Sequence, residues 1–225
     1  MSENKLSCGV VIEFDFTAID GANILFNVAK ERLAAEGIDL TVKLEALHLV
    51  GGNYQGGLTE LFSKLEKEAD CSQIARDINE AFNAEVTKRL SGAVTPGIKE
   101  FINKVIAKDV KVVLATRGDV EALAPALEGF DSEKVVPYAE KSMTYGNGKW
   151  DVWRRALNAN ALADILTVGI TGSGNGVKAV LVAGMPAIAV VNDHVSYQDF
   201  GGADCVVDSI NGDLADEVLR ILRLA

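Results

Sequence analysis

Residues 10–20 read Val10-Val11-Ile12-Glu13-Phe14-Asp15-Phe16-Thr17-Ala18-Ile19-Asp20. The opening β-branched run is too short and too uniformly apolar for an amphipathic helix, and it fits a strand buried on both faces. The strand ends in two carboxylates two positions apart, which project the same way from an extended segment. At the mouth of a parallel sheet such a pair admits two readings. Either the acids hold a divalent cation or divide nucleophilic and acid/base roles, or they are partly solvated acids where a strand frays into a loop.

Working outward, further apolar runs at 110–114, 165–170, 187–191 and 205–207 each end in Gly, Asp, Asn or Thr. Between the later runs lie helix-patterned stretches at 119–127, 149–158 and 175–183. Strand and helix in alternation predict an α/β fold, a parallel sheet with helices on both faces, whose ligands bind beyond the carboxyl ends of the strands. Residues 19–95 break the alternation: they are helix-patterned at 23–36, 43–47, 58–68 and 71–90, with no strand run between. The expected organisation is therefore a core of residues 1–18 and 96–225, with a helical cap of residues 19–95 inserted after the first strand.

Composition narrows the function. In 225 residues, 22 Lys and Arg stand against 32 Asp and Glu, a net charge of −10. A field of that sign repels phosphate backbones and anionic lipid, which argues against nucleic-acid and membrane-surface partners. Cys8, Cys71 and Cys205 lie far apart and read as reduced apolar residues. With no CxxC pair and only His48 and His194, a zinc site has no ligand set. The first residues carry no apolar signal core, so the expected location is the cytoplasm.

Three further segments share a pattern with the first strand. Val112-Val113-Leu114-Ala115-Thr116 is an apolar run ending in a hydroxyl; Gly148-Lys149 precedes Asp151 and Trp153; Gly172-Ser173-Gly174-Asn175-Gly176-Val177 runs on to Ala183-Gly184-Met185. Thr95-Pro96-Gly97 precedes a helix, and Asp20 stands seven positions after Glu13. In order and spacing these segments resemble the four motifs of the haloacid dehalogenase (HAD) superfamily, in its phosphatase and phosphoglucomutase-like branch with an all-helical cap, and the resemblance covers most of the chain. It implies a Rossmann-like core, a small phosphorylated metabolite as substrate, Mg²⁺ as cofactor and a covalent aspartyl-phosphate route. Carried over, the nucleophile falls on Glu13 and the acid/base on Asp15, both also metal ligands, with phosphate contacts on Thr116, Arg117 and Lys149.

The departures are equally specific. Glu13 is one methylene longer than the family's Asp, a displacement on the 1 Å scale that costs ~100-fold in an in-line reaction. Phe16 replaces a small Gly, and Thr171 and Gly172 stand where the family places its motif-four acids. Neither supplies a carboxylate to a hard cation. A second register makes Asp15 the nucleophile with Thr17 in second position; it pushes Glu13 back into a buried strand, where an unpaired carboxylate is costly. Asp193 either leans toward the metal position or is a loop acid. Arg117 either holds an anion or, as we expect here, pairs with Glu13 or Asp15.

Two glycine-rich segments complete the reading. Gly172-x-Gly-x-Gly176 fits a tight strand-to-helix turn better than a nucleotide loop, since Val191 and Asn192 stand where a ribose-binding acid would fall. Gly51-Gly52-Asn53-Tyr54-Gln55-Gly56-Gly57 is either a substrate-choosing cap loop or a plain connector. Three functions therefore compete: a HAD-like protein whose turnover has been lost or impaired, a working Mg²⁺-dependent phosphatase or phosphotransferase using Glu13 or Asp15, and a non-catalytic partner-binding module.

Overall fold

The computed structural model describes residues 7–49, 54–139 and 150–224. Among them run the strands β1 (Ser7–Glu13), β2 (Lys111–Thr116), β3 (Val135–Ala139), β4 (Leu162–Thr171), β5 (Ala187–Val190) and β6 (Cys205–Val207). They form one sheet in the order β3-β2-β1-β4-β5-β6, with every neighbouring pair parallel. Parallel strands need crossovers, and helices on both faces supply them except between β5 and β6, where the link is a run of turns.

The alternation of side chains along β1 divides the interior in two. Val10 and Ile12 face one apolar cluster, and Val11 faces the other. The first cluster is closed by α6 (Pro96–Ile106) through Ile98, Phe101, Ile102 and Val105, and by α9 (Gly212–Ile221) through Leu214, Ala215, Val218 and Leu219. On the opposite face lie α7 (Trp150–Ala159) and α8 (Gly174–Val182), which bring Val152, Trp153, Ala156, Val177 and Val180 onto the sheet.

Between β1 and α6 the chain is helical: α1 (Phe14–Thr17), α2 (Gly21–Ala34), α3 (Val42–His48), α4 (Tyr54–Lys64) and α5 (Cys71–Leu90). Asp20, Thr41, Asp70 and Thr95 cap α2, α3, α5 and α6, each side chain accepting from a backbone N–H in the first turn. These helices are inserted between the first strand and α6, and α2 to α5 fall in the stretch expected as a cap. Their apolar residues belong to the same cluster as the first sheet face, joined through Phe14 and Phe16.

Two elements depart from the sequence reading. Residues 135–139 form a strand that the sequence pattern does not announce, because Pro137 interrupts it. The strand lies at the edge of the sheet, where a missing backbone donor is tolerated. The helix expected at 119–127 is a 3-10 helix over Val120–Leu127 with Pro125 inside it.

Candidate functional site

The strand order reverses at β1, with β2 on one side and β4 on the other. Open α/β sheets bind ligands at such a switch point. Register does the rest: Glu13 lies beside Ala115 and Ile12 beside Ile170. The ends of three strands therefore bring Glu13, Asp15, Thr116, Arg117 and Thr171 to one place. All five are buried, four of them with no exposure at all.

Asp15 is held on both oxygens. Oδ1 accepts from the Thr116 hydroxyl at 2.5 Å, and Oδ2 accepts from the Arg117 backbone N–H at 2.7 Å. The Thr116 Oγ1 in turn accepts from the Gly118 N–H at 3.0 Å. Burial pushes the Asp15 carboxyl up, opposed by the Thr116 and Arg117 hydrogen bonds and by the guanidinium charge of Arg117.

Glu13 is held on one oxygen only. Oε2 accepts from the Thr171 hydroxyl and, at 3.3 Å, from the Gly172 N–H. Oε1 is buried and has no hydrogen-bond partner. Burial raises the Glu13 carboxyl to about 7, against the pull of Thr171 and Gly172, and the nearby Asp15 adds to the rise.

The guanidinium of Arg117 makes no ion pair with either acid, contrary to the expected pairing. Only its backbone N–H serves Asp15. The side chain turns to α5, where Nη2 donates to Asn79 Oδ1 at 2.6 Å and the guanidinium lies 4.7 Å from the Phe82 ring centroid. Phe82 stacks on Phe16 at 5.8 Å. Desolvation lowers the Arg117 pKa to about 10, although both acids pull it upward. Phe16 and Phe82 thus seal the acids beneath α5. Gly118 completes the seal, since a Cβ there would lie 2.8 Å from Leu90.

The donor set does not fit Mg²⁺. No group of three His, Cys, Asp or Glu side chains converges among the described residues. Thr171 and Gly172 present a hydroxyl and an N–H that already donate to Glu13, the reverse of what a cation requires. Position 172 has no room for a carboxylate either: a Cβ there would lie 2.1 Å from the Phe16 carbonyl oxygen. Asp193 is exposed in the loop after β5, and the turn there is capped by Asn192, whose Oδ1 accepts from the His194 and Val195 N–H groups. Lys149 and residues 51–53 lie outside the described residues. Tyr54 to Gly57 belong to α4 rather than to a loop, and Gly57 allows close helix contact, since a Cβ there would lie 2.0 Å from the His48 carbonyl oxygen.

The glycine run after β4 forms the expected tight turn. Ser173 caps α8 by accepting from the Gly176 N–H, and a Cβ on Gly176 would strike Thr171 Oγ1 at 1.9 Å.

A family model for haloacid dehalogenase-like hydrolases matches residues 10–190. The chain belongs to that family. This HAD-family chain is similar in structure to CbbY from Rhodobacter sphaeroides, solved in complex with phosphate, at 21% identity and TM-score 0.63 over 92% of this chain and 95% of that one. It is also similar to β-phosphoglucomutase from Clostridium difficile, at 18% identity and TM-score 0.69 over 96% and 99%. A third likeness is to a phosphonoacetaldehyde hydrolase-like protein from Oleispira antarctica, at 19% identity and TM-score 0.67 over 99% and 97%. At these identities the likeness is one of fold. No curated protein matches the chain. No helix among the described residues of this HAD-family chain is long and apolar enough to cross a membrane.

Sequence reasoning missed the cap side of the site. Asn79, Asn83 and Thr87 recur every four residues along α5, a polar stripe legible in the sequence but without a target until the loop after β2 is placed against it. A second link was equally hidden: His194 Nε2 lies 3.1 Å from Oε2 of Glu45, a fully buried residue of α3 whose carboxyl burial pushes up.

Proposed function

We propose that this chain is a HAD-family protein that does not turn over phosphomonoesters, its catalytic apparatus converted into buried packing. One observation carries this reading. The two motif-one acids have no solvent exposure, and three of their four carboxylate oxygens accept hydrogen bonds from the chain's own hydroxyl and N–H groups. A phosphoryl group would have to displace those donors and enter beneath Phe16.

Charge supports the same reading. With no third carboxylate among the described residues to recruit a cation, a dianionic phosphate beside Glu13 and Asp15 meets repulsion that Arg117, turned toward Asn79, offsets only in part. Nucleophilic attack also needs an ionised carboxylate, and burial holds Glu13 largely protonated below pH 7.

The test is hydrolysis of para-nitrophenyl phosphate with and without Mg²⁺, beside the Asp15→Asn variant. The native protein is expected to release no more nitrophenol than that variant. Mg²⁺-dependent release that Asp15→Asn abolishes overturns the reading and restores a working phosphatase.

A further inference from the structure

The loop between β5 and β6, residues 191–204, leaves the carboxyl end of β5 and contains turns and bends only. Irregular loops of that length are uncommon in compact domains and usually functional where they are ordered. Its hold on the core is firm. Gln198 Oε1 accepts from the Gly174 N–H at 2.9 Å, and Val195 is buried in the first apolar cluster. A Cβ on Gly174 would lie 2.3 Å from the Asp199 carbonyl oxygen.

From there the loop reaches two of the inserted helices. Asn192 Nδ2 donates to Oδ1 of Asp20, the residue that caps α2, at 2.9 Å. His194 crosses to α3: its Nε2 lies 3.1 Å from Glu45 Oε2, a contact between residues 149 positions apart. The imidazole also lies 5.2 Å from the Phe26 ring of α2.

The composition of α3 gives that contact its weight. Its seven residues are too few to hold a helix by themselves, and a docked helix ordinarily buries an apolar stripe. The only buried residue of α3 is instead Glu45, with no exposure at all. Glu45 Oε1 has no hydrogen-bond partner, and neither has the buried Tyr54 hydroxyl at the start of α4. A buried carboxyl is tolerated only where something compensates it, and for Glu45 that group is His194.

We propose that the loop after β5 is a strap that fastens α2 and α3 to the core, with Glu45 and His194 as its clasp. A proton between the two side chains bonds them whichever of the two carries it. With the clasp made, α3 stays docked. With it broken, Glu45 is buried bare, and undocking α3 returns the carboxyl to water. The inserted helices are thus held twice, by aromatic packing under α5 and by a polar tie at α3. Neither motif-one acid takes part in the tie, so it stands or falls apart from the loss of turnover.

Native-state amide exchange of the full chain at pH 7 tests the strap, with α3 and β1 read separately. His194→Ala is expected to speed exchange of the α3 amides at least about tenfold while β1 changes less than about threefold. Lys178→Ala, which opens only the exposed ion pair of the loop with Asp199, is expected to leave α3 within about twofold of the native protein. Should His194→Ala fail to fold, Asn192→Ala carries the test: it frees the strap from Asp20 and is expected to speed α3 about threefold or more, again ahead of β1. Exchange at α3 that the strap variant leaves unmoved, a rise that β1 shares equally, or an equal rise in Lys178→Ala overturns the proposal.

Discussion

Asp15 and Glu13 stand two residues apart, equally buried, yet the chain treats them differently. On the β2 side Asp15 sits in a closed network, with donors on both oxygens and a further N–H bonded to Thr116. On the β4 side Glu13 has donors on one oxygen, a bare second oxygen and, beside it at position 172, a glycine pressed against backbone. The β2 side offers a hydroxyl, Thr116, to its acid, and the β4 side offers Thr171 and Gly172. Both oxygens of the first acid are satisfied, and one oxygen of the second is not.

The largest test of that contrast is Gly172→Asp, which places an acid on the β4 side. With its Cβ placed 2.1 Å from the Phe16 carbonyl oxygen, the substitution must shift backbone, and a loss of about 3 kcal/mol or more in urea unfolding is expected. A loss under about 1 kcal/mol would mean that the pocket for the acid survives.

The next effect is the share of the pH dependence that Glu13 carries. Its folded pKa of about 7 lies above the unfolded value of 4.5. The protonated form is therefore the one favoured by folding: its contribution is full below pH 4.5 and is lost as pH rises toward 7. The difference amounts to about 3 kcal/mol by linkage. Glu13→Gln is expected to remove that fall, so the stability gap between the two proteins, measured by urea unfolding at pH 5 and pH 8, shifts in favour of the variant at pH 8. A gap independent of pH would show that Glu13 is ionised normally.

Asp15→Asn comes third. The amide can still accept from the Arg117 N–H, but its NH₂ turns toward a Thr116 hydroxyl that already accepts from Gly118, leaving the hydroxyl proton without a partner. A loss of about 2 kcal/mol is expected at neutral pH. Unfolding that matches the native protein would dissolve the contrast between the two sides. Smallest of all is Asp193→Ala, which alters an exposed loop side chain and is expected to change stability by less than ~0.5 kcal/mol. A larger change in the presence of Mg²⁺ alone would return Asp193 to the list of metal ligands.

Much of this was legible before any coordinates. The β-branched runs mark five of the strands, because a strand covered on both faces tolerates little else, and α5 falls on 71–90 as its pattern predicts. Pro137 hid β3 because an edge position, which excuses proline, is a property of the sheet and not of the segment. At the site, the residue types singled out Glu13, Asp15, Thr116 and Thr171, which the structure brings together. They did not disclose that Thr171 would turn its hydroxyl onto Glu13, or that Arg117 would leave both acids for Asn79 and Phe82. Those choices depend on desolvation and on a helix far away in sequence, and neither is written locally.

The apolar cluster that runs from the sheet through Phe14 and Phe16 into the inserted helices has a dynamic consequence. A lid that swings on hinges needs an interface that can be wetted cheaply; here, parting α5 from the sheet would expose Phe16 and Phe82 to water. The inserted helices therefore belong to the same cooperative unit as β1. In native-state amide exchange the core-facing turns of α5 should open with the central strand rather than ahead of it, and the protein should melt in one transition.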